Sequence, residues 1–142
     1  SIAGAETRTA RPPKHPNENK GHRSIDVADR VLVCKDDVEQ LEAGSRIRLK
    51  DLYNVEITSV APLQAKYIGD EVANLKKDRM KIIHWAPVDG IPVKVLSPDG
   101  EFKGIGEKMI SAELDKMVQF ERFGFCRIDS VGSEIVAYFT HK

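Results

Sequence analysis

The chain has 142 residues, 41% of them apolar, and its 22 Lys and Arg balance 22 Asp and Glu. That length suits one ordinary domain or two small ones with a real core, and the composition is that of a globular protein. No run approaches the roughly 20 apolar residues that span a bilayer, no signal peptide is visible, and zero net charge leaves no global basic field to advertise a nucleic-acid partner.

From its first residue the chain reads as follows. There is no initial Met, which implies a start partway through a longer protein. Residues 10–20 carry three prolines, which remove donors and restrict their neighbours, so an extended arm is expected. A short strand is predicted over residues 30–33. Residues 36–41 suit one or two helical turns with Asp36 as cap, ended by Gly44. Residues 46–49 alternate charge and aliphatic, the mark of a half-buried strand. Further strands are predicted over 54–60 and 63–68, separated by Pro62, and 69–74 is an acidic turn. Two apolar, β-prone runs, 81–85 and 92–96, flank a turn with Pro87 and Asp89-Gly90, which predicts a hairpin. Ser97-Pro98-Asp99-Gly100 is a strong β-turn signal. A helical turn is expected over 109–114, and strands over 118–122, 125–129 and 135–140. About nine short strands with frequent Gly and Pro turns indicate an all-β barrel or sandwich.

Cys34 and Cys126 lie far apart with no Cys-x-x-Cys or His/Cys ligand spacing. They read as small core hydrophobes in a reducing, cytoplasmic setting, not as a disulfide or zinc framework. Charge is segregated: residues 1–23 hold five basic and two acidic side chains, 24–75 six and ten, and 76–103 six and four. A bipolar surface of this kind can still present a basic face to phosphates, and solvated surface charge explains the same counts. His84 has no Ser or Cys at informative spacing, and Gly104-Ile105-Gly106 lacks the third glycine of a dinucleotide loop, so no catalytic constellation emerges. Basic residues near Tyr53, Tyr67, Trp85, Phe120, Phe123 and Phe125 suit the stacking of splayed bases. Core packing is the competing account of each ring.

Four stretches in order resemble one family. They are His15-Pro16 with Gly21-His22-Arg23; Arg48-Leu49-Lys50-Asp51-Leu52-Tyr53-Asn54-Val55; Ile82-Ile83-His84-Trp85; and Val118-Gln119-Phe120-Glu121-Arg122-Phe123-Gly124-Phe125. The chain resembles the C-terminal anticodon-binding region of archaeal and eukaryotic-type glutamyl-tRNA synthetases, relatives of the glutaminyl enzymes. The resemblance implies two small β-barrels, related to a ribosomal 5S-RNA-binding protein, that grip the anticodon loop of tRNA(Glu). It also implies an N-terminal class I catalytic domain in the same parent protein, a glutamate–tRNA ligase using ATP and Mg. That domain's His-Ile-Gly-His and Lys-Met-Ser-Lys-Ser motifs are not present here. The chain alone is therefore expected to be non-catalytic, cofactor-free and without a metal or membrane role.

By matched position, the resemblance assigns anticodon contacts to Arg23, Gln119 and Arg122. Arg offers a planar fork that can also stack, and Gln both donates and accepts toward a base edge. Charge and location alone add Lys77, Arg79 and Lys81 as phosphate contacts. Residues 125–129 look more like the glutamate branch, and Leu96 stands where the glutaminyl pattern has an arginine. The expected division is residues 1–75, an arm and first barrel, and 76–142, a second barrel, with the first and last strands possible partners in one barrel. The alternatives are the same region of a glutaminyl-tRNA synthetase, and a β-barrel protein-interaction module without RNA binding.

Overall fold

The computed structural model describes residues 1–15, 17–72 and 80–142. The elements in chain order are β1 (Ile2–Ala3), β2 (Arg8–Ala10), β3 (Ile25–Val27), β4 (Val31–Val33), α1 (Lys35–Val38), β5 (Arg46–Leu49), β6 (Asn54–Val60), β7 (Leu63–Gly69), β8 (Lys81–Ile83), β9 (Trp85–Pro87), β10 (Ile91–Ser97), β11 (Gly100–Gly106), a 3-10 turn (Lys108–Ala112), β12 (Met117–Phe120), β13 (Gly124–Ser130) and β14 (Ile135–His141). The class is all-β. The chain divides into two compact units, Ser1–Trp85 and Ala86–Lys142, with β9 straddling the division. The boundary expected between residues 75 and 76 falls among residues that the structure does not describe.

In unit 1 the five-stranded sheet runs β1-β7-β6-β5-β8. β6 and β7 form its central antiparallel pair around Ala61-Pro62, while β1 and β8 join the edges in parallel. Alternation along β6 turns Val55 and Ile57 inward to meet Ile47, Leu49 and Ile83. Trp85 closes this core, and its indole N–H donates to the Lys50 carbonyl at 2.8 Å. The residue 10–20 segment is not an open arm. β2 and β3 pair antiparallel, and Pro13 and His22 bridge beyond them, so Pro12 and Pro13 belong to the stem of a long hairpin. Helix α1 begins one residue earlier than expected, with Cys34 in place of Asp36 at its cap.

In unit 2 the sheet order is β11-β10-β14-β13-β12. The predicted hairpin between residues 81–85 and 92–96 does not form. β8 runs parallel to β5 in unit 1, whereas β10 pairs with β11 and, in parallel, with β14. The turn that makes the hairpin is the next one, since Ser97 pairs Gly100 and leaves Pro98-Asp99 as a two-residue loop. β11 escaped the sequence reading because glycines interrupt its pattern. Gly106 gives room there to Ile110, a buried core residue, since a Cβ would stand 2.4 Å from the end of its side chain.

Neither sheet closes by hydrogen bonds into a barrel. In unit 1 the edge strands have only two and three residues, too short a ladder for closure. In unit 2 the sheet curls until Phe102 on β11 and Phe123 beyond β12, from opposite edges, meet edge-to-face at 5.3 Å. Side chains complete what the ladder leaves open. The first strand, β1, and the last, β14, lie in different sheets.

Candidate nucleic-acid interface

The β12–β13 hairpin shows how one run serves both fold and surface. Val118 and Phe120 face the core of unit 2, so Met117 and Gln119 point outward and are exposed. The chain then reverses, with the Phe123 N–H donating to the Phe120 carbonyl at 2.9 Å. Arg122 stands in this turn with φ of 64°, the left-handed region that a non-glycine residue enters at a cost of about 1–2 kcal/mol. Its side chain is exposed. Gly124 follows with φ of 151°, and a Cβ on it would lie 2.5 Å from the Phe139 ring and 2.8 Å from the His141 carbonyl. Phe123 packs on Phe102 and Phe139. Within the Val118 to Phe125 run Phe120, Phe123 and Gly124 therefore hold the hairpin, and the polar side chains of Gln119 and Arg122 are exposed on it.

The loop between β2 and β3 follows the same division of labour. The His15 Nδ1 accepts from the Asn17 and Glu18 N–H groups at 3.1 and 3.0 Å, fixing the loop tip. Gly21, with φ of 87°, turns the returning strand, and its carbonyl accepts from the Lys14 N–H at 2.9 Å. The Arg23 N–H donates to the Pro12 carbonyl at 2.8 Å, so Arg23 sits on the paired stem with its side chain half-buried. Motif spacing here encodes a hairpin, and Arg23 is its cationic member.

Of the predicted phosphate contacts, Lys81 is exposed at the start of β8 and its ammonium donates to the Gln40 amide oxygen of α1. Lys77 and Arg79 lie outside the described residues. The structure thus places Gln119 and Arg122 on one hairpin of unit 2, and Arg23 and Lys81 on separate elements of unit 1.

The rings tell against a simple reading of aromatic content. Tyr53 and Trp85 are buried, and Tyr67, Phe120 and Phe123 pack as half-buried neighbours of the two cores. In unit 1 the Arg8 guanidinium lies 5.0 Å over the Tyr53 ring and 5.6 Å from that of Tyr67, and pairs with Asp70 at 2.6 Å. The Tyr67 hydroxyl donates to the same carboxylate. That hydrogen bond first, then Arg8, holds the Asp70 carboxyl below its ordinary value, and it raises the Tyr67 phenol in return. Arg48 donates to Asn54 and to the Asp70 backbone, which closes the network. These cations serve the fold. Cys126 is fully buried, as expected, and burial pushes its thiol up, whereas Cys34 is exposed at the helix cap and is no core residue. Among the described residues no group of three or more His, Cys, Asp or Glu side chains is arranged to hold a metal ion.

A family model described as the class I tRNA synthetase (E and Q) anticodon-binding domain matches residues 1–76. The chain belongs to this family. A second model of the same description matches residues 82–129. Among curated relatives, a glutamate–tRNA ligase of Methanococcoides burtonii is 61% identical over 134 residues, 94% of this chain and 24% of the relative. One of Methanosarcina acetivorans is 60% identical over 143 residues, 99% of this chain and 25% of the relative. One of Methanocorpusculum labreanum is 38% identical over 144 residues, again 99% and 25%. The chain spans about a quarter of the length of the curated relatives it matches.

Within this anticodon-binding domain, the outward side of the unit 2 sheet sets beside Phe125 two rings and a cation to which motif reading gave no role, Tyr138, His141 and Arg127. Gln119 faces Phe125 across β12 and β13, and the Phe125 ring lies 4.8 Å from that of His141. Arg127 faces Tyr138 across β13 and β14. The signal was available in the alternation of residues 135–141, where Ile135 and Ala137 are buried and Val136 and Tyr138 fall on the opposite face.

Proposed function

We propose that this chain is the tRNA anticodon-binding region of a class I glutamate–tRNA ligase. The parent protein would ligate glutamate to tRNA(Glu) with ATP, through a catalytic domain outside this sequence. The observation that carries the reading is the match to glutamate–tRNA ligases across 94–99% of the chain, joined to a hairpin that exposes Gln119 and Arg122 from an otherwise packed motif.

The mechanism is binding. Gln119 and Arg122 contact anticodon nucleotides, because an exposed amide and guanidinium match base-edge acceptors and donors, and the guanidinium also matches phosphate. Arg122 gains reach from its left-handed turn conformation, a strained position of the sort found at ligand sites. Arg23 adds a third contact, while Lys77, Arg79 and Lys81 neutralise phosphates and so position the loop without reading it. Discrimination falls on the middle and third anticodon bases. The bound tRNA is thereby oriented with its acceptor end toward the parent's active site.

A gel shift of the chain with tRNA(Glu) across a salt series tests this. Affinity is expected to fall steeply as salt rises, with a log-log slope that counts the neutralised phosphates. A chain that ignores the tRNA at low salt would instead be a protein-interaction module.

A further inference from the structure

The outward side of the unit 2 sheet carries more ring surface than folding uses. Core packing takes the other side, where Val93, Val95, Cys126, Ile128, Ile135 and Ala137 are buried. On the outward side the registers set Leu96 opposite Tyr138, Tyr138 opposite Arg127, and Arg127 opposite Met117. Tyr138 belongs to β14, the central strand of the sheet, and yet remains 46% exposed. A ring in that place adds little to the core, and nearly half of it is open to solvent between two paired strands.

Its surroundings are held in place. The Arg127 guanidinium pairs with Asp115 at 3.2 Å. The Thr140 hydroxyl donates to the Phe125 carbonyl at 2.8 Å, which fixes the end of β14 against β13. Two residues along β13 from Arg127, on the same side, Phe125 stands next to Gln119. The sheet therefore offers two ring surfaces, Tyr138 and Phe125, about 7 Å apart along the strand direction, with an amide beside one and a guanidinium beside the other.

We propose that Tyr138 is a base-stacking residue. It takes an unpaired nucleotide of the loop next to the one that Gln119 contacts, with Arg127 alongside. The inference rests on the anticodon-binding reading above. The chemistry favours single-stranded RNA over a protein partner, since the core of a protein interface is depleted of charge, whereas stacking platforms interleave rings with cations and amides. Two of the cations here are partly neutralised: Lys94 lies 3.5 and 3.7 Å from Glu101 and Glu134, and Arg127 is paired with Asp115. The ring, and not added charge, then supplies the attraction, and this sets a specific expectation for salt.

The experiment measures binding of an RNA hairpin carrying the tRNA(Glu) anticodon loop to the 142-residue chain and its Tyr138→Ala, Tyr138→Leu and Tyr138→Phe variants, at three salt concentrations. Tyr138→Ala and Tyr138→Leu should lose about 5- to 150-fold in affinity with an unchanged salt slope, and Tyr138→Phe should keep wild-type affinity. Tyr138→Leu retains apolar bulk, and a thermal melt at the wild-type midpoint shows that the fold is intact. Wild-type affinity in a folded Tyr138→Leu overturns the proposal and leaves the face to another partner. A wild-type chain that fails to bind the hairpin at any salt overturns the anticodon reading itself. The two failures are distinct.

Discussion

In unit 1 an arginine among rings is folded inward: Arg8 lies over Tyr53 and Tyr67 and spends its charge on Asp70. In unit 2 an arginine among rings faces out, with Arg127 beside Tyr138 on the side of the sheet away from the core. The residue types are the same and the roles are opposite. What separates them is strand parity, because one step along a strand exchanges the core side for the solvent side. Counting aromatics near basic residues therefore says little about a binding surface until each ring has been assigned to a side.

The largest expected effect that separates the two clusters is on stability. Tyr53→Ala, which empties a fully buried site beneath Arg8, should destabilise unit 1 by about 3–5 kcal/mol in chemical denaturation. Tyr53→Phe should change stability by less than about 0.5 kcal/mol, since among the described residues the hydroxyl has no hydrogen-bond partner. Tyr138→Leu should be similarly mild. A loss of more than about 2 kcal/mol in Tyr138→Leu would make that ring part of the fold and erase the contrast.

Next in size is Gly124→Ala, which drives a Cβ onto the Phe139 ring and the His141 carbonyl at a positive φ and should destabilise unit 2 by about 1–3 kcal/mol. Arg122 should behave in the opposite sense. Arg122→Gly relieves the left-handed strain and should raise stability by up to about 1 kcal/mol, while Arg122→Ala and Arg122→Gly both weaken anticodon-loop binding by about 1–3 kcal/mol. Lost stability with intact RNA affinity would reassign Arg122 to the scaffold.

The smallest expected effect is at Asp70. Its pair with Arg8 is more than half exposed on the carboxylate side, so screening holds the loss in Asp70→Asn to about 0.5–1 kcal/mol at neutral pH. The folded-state carboxyl titrates below its ordinary value of 3.8. The contribution is thus fully present above that value and is lost as pH falls through the lowered folded value. Urea melts of wild type and Asp70→Asn should converge only in that acidic range. A gap that closed on raising the pH instead would contradict the assignment.

Much of the fold was legible because strands of four to seven residues alternate cleanly. Arg46–Leu49 and Asn54–Val60 were read with the bounds the structure has, and the class follows from the spacing of such runs. The errors share one cause. Residues 81–85 and 92–96 look like a hairpin because a Pro and an Asp-Gly pair lie between them, but pairing is decided by partners far along the chain: β5 claims β8 and β14 claims β10. Nothing within residues 11–24 announces that the proline-rich segment doubles back, since the reversal is closed by β2 and β3 on either side of it. Of the residues that the resemblance put forward, the structure leaves Gln119 and Arg122 exposed. Tyr138 was hidden in plain alternation, in a strand that no motif covers.

The central claim is that this family member reads an anticodon, and the most direct measurement is competition between loops that differ only there. The chain should prefer a hairpin with the tRNA(Glu) anticodon over one with the middle or third base changed, by about 1–3 kcal/mol per base at fixed salt, and Gln119→Ala or Arg122→Ala should shrink that preference. Equal affinity for all loops, with the variants indistinguishable from wild type, would contradict it.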